Sequence, residues 1–174
     1  IKTTGPHSAT DKGMYRDGPS EQWPRVPARI DSMENLRRWI NGYDTAIRYV
    51  DDRIKWIVDK LKAEGVYEDT AIIISADHGE NQGEFGIYSE HGTADEATCH
   101  VPMIIKWPGG KSGQVDDSLR YNLDLAPTLM DLTGGKTEDL WDGRTYAGKI
   151  VDGQPVAEEW DELVVSQCCH VCQR

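Results

Sequence analysis

The chain predicts an α/β fold, a mainly parallel sheet flanked by helices. Ala71-Ile72-Ile73-Ile74-Ser75 runs apolar and β-branched without alternation. That is the pattern of a strand buried on both faces, as in a parallel sheet covered by helices. Val101 to Trp107 repeats the pattern after a connection of more than twenty residues. Upstream, Leu36, Trp39, Ile40, Tyr43, Ile47, Val50, Ile54, Ile57, Val58 and Leu61 recur by threes and fours, one apolar stripe on a helix.

Taken in order, residues 1–30 are rich in Gly, Pro, Ser and charge and read as an extended connecting segment. Residues 31–174 read as one domain. Asp31 or Ser32 is the expected N-cap of the long helix, Glu34 suits its first turn, and Gly65 its stop. Gly42 is a point where the helix could divide or bend. The stripe reads as core packing, with Tyr43, Asp44 and Asp51 structural. Residues 66–70 turn into the first strand. The long connection after that strand is of the kind that carries function. Residues 93–99 are expected to form a short helix, and Pro102 fits only near the start of the second strand. Asp124 is expected to cap a short amphipathic helix with Pro127 in its first turn and Gly134 as its stop. Leu163-Val164-Val165 reads as a last short strand.

Ligand crevices in open α/β sheets lie outside the carboxyl ends of the strands. Asp77-His78-Gly79-Glu80 falls there, directly after the first apolar run. A carboxylate beside an imidazole offers two metal-ligand types. The dipeptide alone also fits a polar βα loop in which Asp77 caps the next segment. His91, in Tyr88-Ser89-Glu90-His91-Gly92, reads either as a functional acid or as a surface histidine beside Glu90.

With 30 acidic residues against 19 basic, the net charge is -11. This field excludes nucleic-acid binding and attraction to an anionic membrane surface. No segment has membrane length. An anionic substrate would need a local cation to offset the field. The 4 cysteines do not form a spaced disulfide framework, which favours a reducing, cytoplasmic compartment. Cys168, Cys169, His170 and Cys172 suggest a zinc module, but four ligands within five residues do not converge tetrahedrally. The chain opens on Ile1 and ends soon after an apolar run, so it reads as a piece of a longer polypeptide.

The run from Ser75 through Asp77-His78-Gly79-Glu80, with Gly83, Gly86 and then Val101-Pro102-Met103-Ile104-Ile105, resembles the C-terminal part of the sulfatase family, within the alkaline-phosphatase superfamily. Gly42-Tyr43-Asp44-Thr45-Ala46-Ile47, Asp51-Asp52 and Asp124-Leu125-Ala126-Pro127-Thr128-Leu129 extend the resemblance over roughly residues 35–135. It implies an alkaline-phosphatase-like domain truncated at both ends. Asp77 and His78 are then metal ligands, for calcium by family habit, with manganese, iron and zinc open because imidazole is less usual around a hard cation. His91 is the implied catalytic residue, contacting the sulfate or the departing oxygen. Glu80 is a partner or loop-ordering residue.

The implied substrate is a small-molecule or saccharide sulfate ester. A phosphonate or phosphodiester hydrolase of the same superfamily, and a non-catalytic zinc-binding or structural module, are the alternatives. Pro6-His7 is similar to a Pro-His-x-Pro site of the family, but Ser8-Ala9 follows, and His7 reads as a solvated loop residue. The family's formylglycine nucleophile arises within C/S-x-P/A-x-R, which this sequence does not contain. The missing N-terminal part of the domain would have to supply it. The purified 174-residue chain is therefore expected not to hydrolyse a chromogenic aryl sulfate; turnover above the buffer rate would refute this.

Overall fold

A computed structural model describes residues 30–84, 88–91, 93–136, 140–154, 159–162, 165–166 and 172–173. The connecting segment expected before Ile30 lies outside the described residues, as do His7, Leu163, Val164, Cys168, Cys169 and His170. Helix α1 (Met33–Ala63) begins where the sequence places it: the Ser32 hydroxyl accepts the Asn35 N–H at 3.1 Å. It continues through Gly42 without a break and ends before Gly65, whose φ of 72° is cheap only without a Cβ. At 1.5 Å per residue it is about 46 Å long.

Its apolar stripe is the first departure from expectation. Leu36 and Trp39 pack on the buried pair Ile30 and Tyr88, and Trp39 Nε1–H donates to Gln82 Oε1 at 2.7 Å. Beyond that point Tyr43, Ile47, Val50 and Ile57 are 40–61% exposed, so the stripe is not core packing among the described residues. Periodicity states which face of a helix is apolar, whereas burial depends on what lies opposite.

Strand β1 (Ile72–Ser75) pairs with β4 (Met103–Lys106), Ile73 opposite Ile105 and Ile74 opposite Ile104. This pairing is antiparallel, and no parallel pair occurs among the described residues. The strands are half-buried or exposed. An unbroken apolar run predicts burial on both faces, which these strands do not reach among the described residues, and it carries no information about strand direction. Lys106 fastens the entry to β1. Its ammonium donates to the carbonyls of Tyr67 (2.6 Å), Glu68 (2.9 Å) and Thr70 (3.1 Å) and lies over the Tyr67 ring.

Between these strands the chain forms β2 (Asn81–Gln82), β3 (Tyr88–Glu90) and the single-turn helix α2 (Glu96–Cys99). Beyond β4, a 3-10 turn (Asn122–Asp124) leads into α3 (Leu125–Leu132), followed by α4 (Ala147–Asp152). Strands β5 (Val165–Ser166) and β6 (Cys172–Gln173) pair antiparallel. Asp124 stands at the N-cap position of α3, as expected, but its side chain makes no capping bond to that helix. Its buried carboxylate turns back to accept the N–H of Tyr121 at 2.7 Å, of Arg144 at 2.8 Å and the indole N–H of Trp160 at 2.9 Å. One local donor and two from distant segments outcompete a single capping bond.

Asp116 makes a second polar cluster with Ser118, Arg120 and Lys149. Burial pulls its carboxyl upward, but the Ser118 hydrogen bonds and the Arg120 guanidinium outweigh this and hold it below the usual range.

Asp124→Ala is expected to lower unfolding free energy by about 3 kcal/mol or more, since it strands buried donors. A denaturant midpoint within error of wild type would contradict this. For Asp116 the folded pKa lies below the unfolded one, so its contribution is complete above the unfolded value and fades as pH falls through the folded value. The stability gap between wild type and Asp116→Asn should therefore narrow as pH drops from about 5 toward about 3. A pH-independent gap would show that the charge is not the cause.

Candidate active site

The site is built where β1 ends. Ser75 is the last paired residue, and its hydroxyl donates to the Pro102 carbonyl at 2.9 Å, holding the strand end against the approach to β4. Asp77 and His78 follow. The Asp77 carboxylate accepts the N–H of His78 at 3.0 Å, while its side chain is 89% exposed. The carboxylate thus faces outward from an ordered backbone and does not cap a helix.

His78 Nδ1 lies 2.8 Å from the Gly79 carbonyl. A carbonyl only accepts, so the proton in that bond sits on Nδ1, and in the neutral imidazole the lone pair is on Nε2. Nε2 is 3.7 Å from an Asp77 carboxylate oxygen. One lone-pair nitrogen beside one outward carboxylate suits a divalent ion, and the backbone carbonyl plays the orienting role usual behind metal-ligating imidazoles.

Gly79 decides how closely this loop packs. Its N–H donates to the Thr98 carbonyl at 2.8 Å, and a Cβ there would stand 1.9 Å from the Ala97 carbonyl oxygen. Asn81 continues the lock: it is fully buried, and its amide donates to the Thr93 hydroxyl at 2.7 Å and to Asp95 at 3.2 Å. Asp95 in turn caps α2 through the Thr98 N–H, and the Thr98 hydroxyl donates to the Thr93 carbonyl. Thr93 thus orders the loop.

The β2–β3 register pairs Asn81 with Glu90, which returns His91 to the start of the loop. The His91 and His78 rings stack with centroids 3.9 Å apart and planes 15° from parallel. Glu80 Oε2 lies 3.4 Å from His91 Nδ1, and its side chain is only 19% exposed against 53% for His91. Donor atoms of His78, Glu80 and His91 all fall within 4.8 Å of one another. On α1, burial and then the Glu80 charge push the Tyr43 phenol above its ordinary value, so this tyrosine stands near the site. Asp77, His78 and His91 are therefore assembled at one strand end. Gly79 belongs to the Asp77–Glu80 motif read from the sequence, but its approach to α2 is seen only in the fold, and nothing in the sequence singles out Asn81.

The sulfatase family model matches residues 3–135. The chain belongs to the sulfatase family. It is 32% identical over 133 residues to a choline-sulfatase from Rhizobium meliloti, covering 73% of this chain and 26% of that protein. A solved putative sulfatase from Bacteroides thetaiotaomicron superposes with a TM-score of 0.71 at 26% identity, over 77% of this chain and 29% of that one. A phosphonate monoester hydrolase from Silicibacter pomeroyi superposes with a TM-score of 0.69 at 28% identity, over 77% of this chain and 27% of that one. The α/β fold is thus of the sulfatase and alkaline-phosphatase type. The chain spans about a quarter of the length of these three proteins. Members of the family generally use a divalent metal. Among the described residues no helix is long and apolar enough to cross a membrane.

Gly79→Ala is expected to cost about 1–3 kcal/mol, because the methyl must push the Ala97 peptide away. The same shift should spread the loop and separate His91 from His78, read as loss of mutual ring-current shifts in their imidazole proton resonances. Unchanged resonances and stability would show that α2 yields without consequence.

Proposed function

We propose that this chain is the metal-binding wall of a sulfatase-type hydrolase, acting on a sulfate ester of a small molecule or saccharide. The observation that carries the proposal is the meeting of Asp77, His78 and His91 at the end of β1, with the His91 ring stacked 3.9 Å from that of His78. Family membership and the choline-sulfatase relative support the substrate class.

In this reading Asp77 and His78 hold the cation, calcium by preference, with manganese, iron and zinc the alternatives. The bound ion would neutralise ester oxygens and polarise sulfur. His78 is preset for ligation because the Gly79 carbonyl fixes its tautomer. His91 has an exposed edge and stands beside the Glu80 carboxylate, placed to hydrogen-bond the departing oxygen or protonate it. Gly79 and Asn81 contribute rigidity, which keeps these groups at fixed separation. The nucleophile comes from a segment that this sequence does not contain, so the intact polypeptide is the catalyst.

A phosphonate ester presents a similar tetrahedral anion, and the Silicibacter pomeroyi neighbour keeps that reading alive. The test compares aryl sulfate and phosphonate monoester turnover by the intact polypeptide with its Asp77→Asn and His91→Gln forms. His91→Gln should lower kcat/KM on the sulfate by about a hundredfold or more, the usual worth of a general acid. Asp77→Asn should raise the calcium concentration needed for half-maximal rate. Faster turnover of the phosphonate would transfer the assignment to that class. Sulfate turnover indifferent to both substitutions would end the proposal.

A further inference from the structure

His78, Glu80 and His91 form a donor set distinct from the Asp77–His78 pair, and its chemistry differs. Two imidazoles and one largely buried carboxylate make an N2O set, which suits borderline transition ions better than the oxygen-loving hard cations. The donors lie within 4.8 Å of one another. Tetrahedral zinc holds neighbouring donors about 3.4 Å apart and lies in the plane of each imidazole. Closing the triangle therefore requires the stacked His78 and His91 rings, now 15° from parallel, to tilt apart. The backbone behind them is fixed by the Gly79–Thr98 bond and by the β2–β3 register, which makes such rotation the main cost.

We propose that this triangle binds a zinc-class divalent ion in a mode that excludes hard-cation use of the site. The exclusion rests on the functional reading above, because His78 is common to both sets. An ion in the triangle draws His78 away from Asp77 and occupies His91, the group placed to meet the departing oxygen. Zinc would then inhibit by competing with calcium for His78 and by withdrawing His91 from the ester.

The test is a cobalt(II) titration of the full chain carrying C168S, C169S and C172S, since thiolates outcompete imidazole for soft ions. The visible absorption of cobalt should appear with one equivalent and vanish on adding zinc. E80Q and H91Q should each weaken cobalt binding at least about tenfold, the loss that even outer partners of a metal can cause. D77N should weaken it less than either, as Asp77 is outside the triangle. Cobalt absorption that survives E80Q and H91Q, that is lost in D77N, or that never appears would each overturn the proposal. Should the substituted chains fail to keep their helical circular dichroism, the parent chain still decides. Zinc should protect His78 and His91, but not His100, from diethyl pyrocarbonate, and an unprotected His91 would overturn the site. None of these readouts requires ester turnover. Loss of the sulfatase reading would remove only the consequence for activity.

Discussion

The close approach of Gly79 to α2 is the constraint on which the site depends. A backbone bond of 2.8 Å joins its N–H to Thr98, and the Ala97 carbonyl occupies the space where any other residue would carry its Cβ. The end of β1 is thereby tied to a segment nearly twenty residues later, and the intervening chain must fold back between the two. Asn81 satisfies the interior of that fold with bonds to Thr93 and Asp95. The short β2–β3 pairing then leaves His91 little choice of position. Its meeting with His78 follows from a loop held at both ends, and owes little to attraction between the rings.

Elsewhere the chain relies on charged groups whose partners are largely backbone. Lys106 satisfies three carbonyls at the mouth of β1, and Asp124 satisfies two backbone N–H groups and one indole. Such bonds are stronger than neutral ones and costly to leave half made. They join separated segments, which matters where few large side chains are fully buried among the described residues. The ion pairs along α1 are of another kind. Arg48–Asp52, Lys55–Asp59 and Lys60–Glu64 are i,i+4 pairs on an exposed helix, each worth about 0.3–0.5 kcal/mol. They support helicity and do not hold the fold.

On the proposed readings, the overlap of two donor sets on His78 would give the site a choice of cation. Asp77 offers an exposed oxygen, whereas Glu80 and His91 offer a half-enclosed oxygen and nitrogen. Hard and borderline ions sort between such environments by ligand type more than by raw affinity. A single imidazole, with its tautomer set by the Gly79 carbonyl, is the element common to both.

Local physics was legible in the sequence. The Ser32 cap, the Gly65 and Gly134 stops and the two apolar strands stand where residue preference puts them, because capping, positive φ and β-branching act within a few residues. Asp77 and His78 could be named as candidates because they terminate an apolar run. Tertiary structure decided what depends on separated segments. It set β1 and β4 antiparallel, left the far stripe of α1 exposed, and turned Asp124 from a cap into a junction. It also set Glu80 and His91 together through a register that composition does not encode. Propensity acts along the chain, whereas strand direction, burial and ligand convergence act across it, and only the folded backbone brings those distances within reach of a bond.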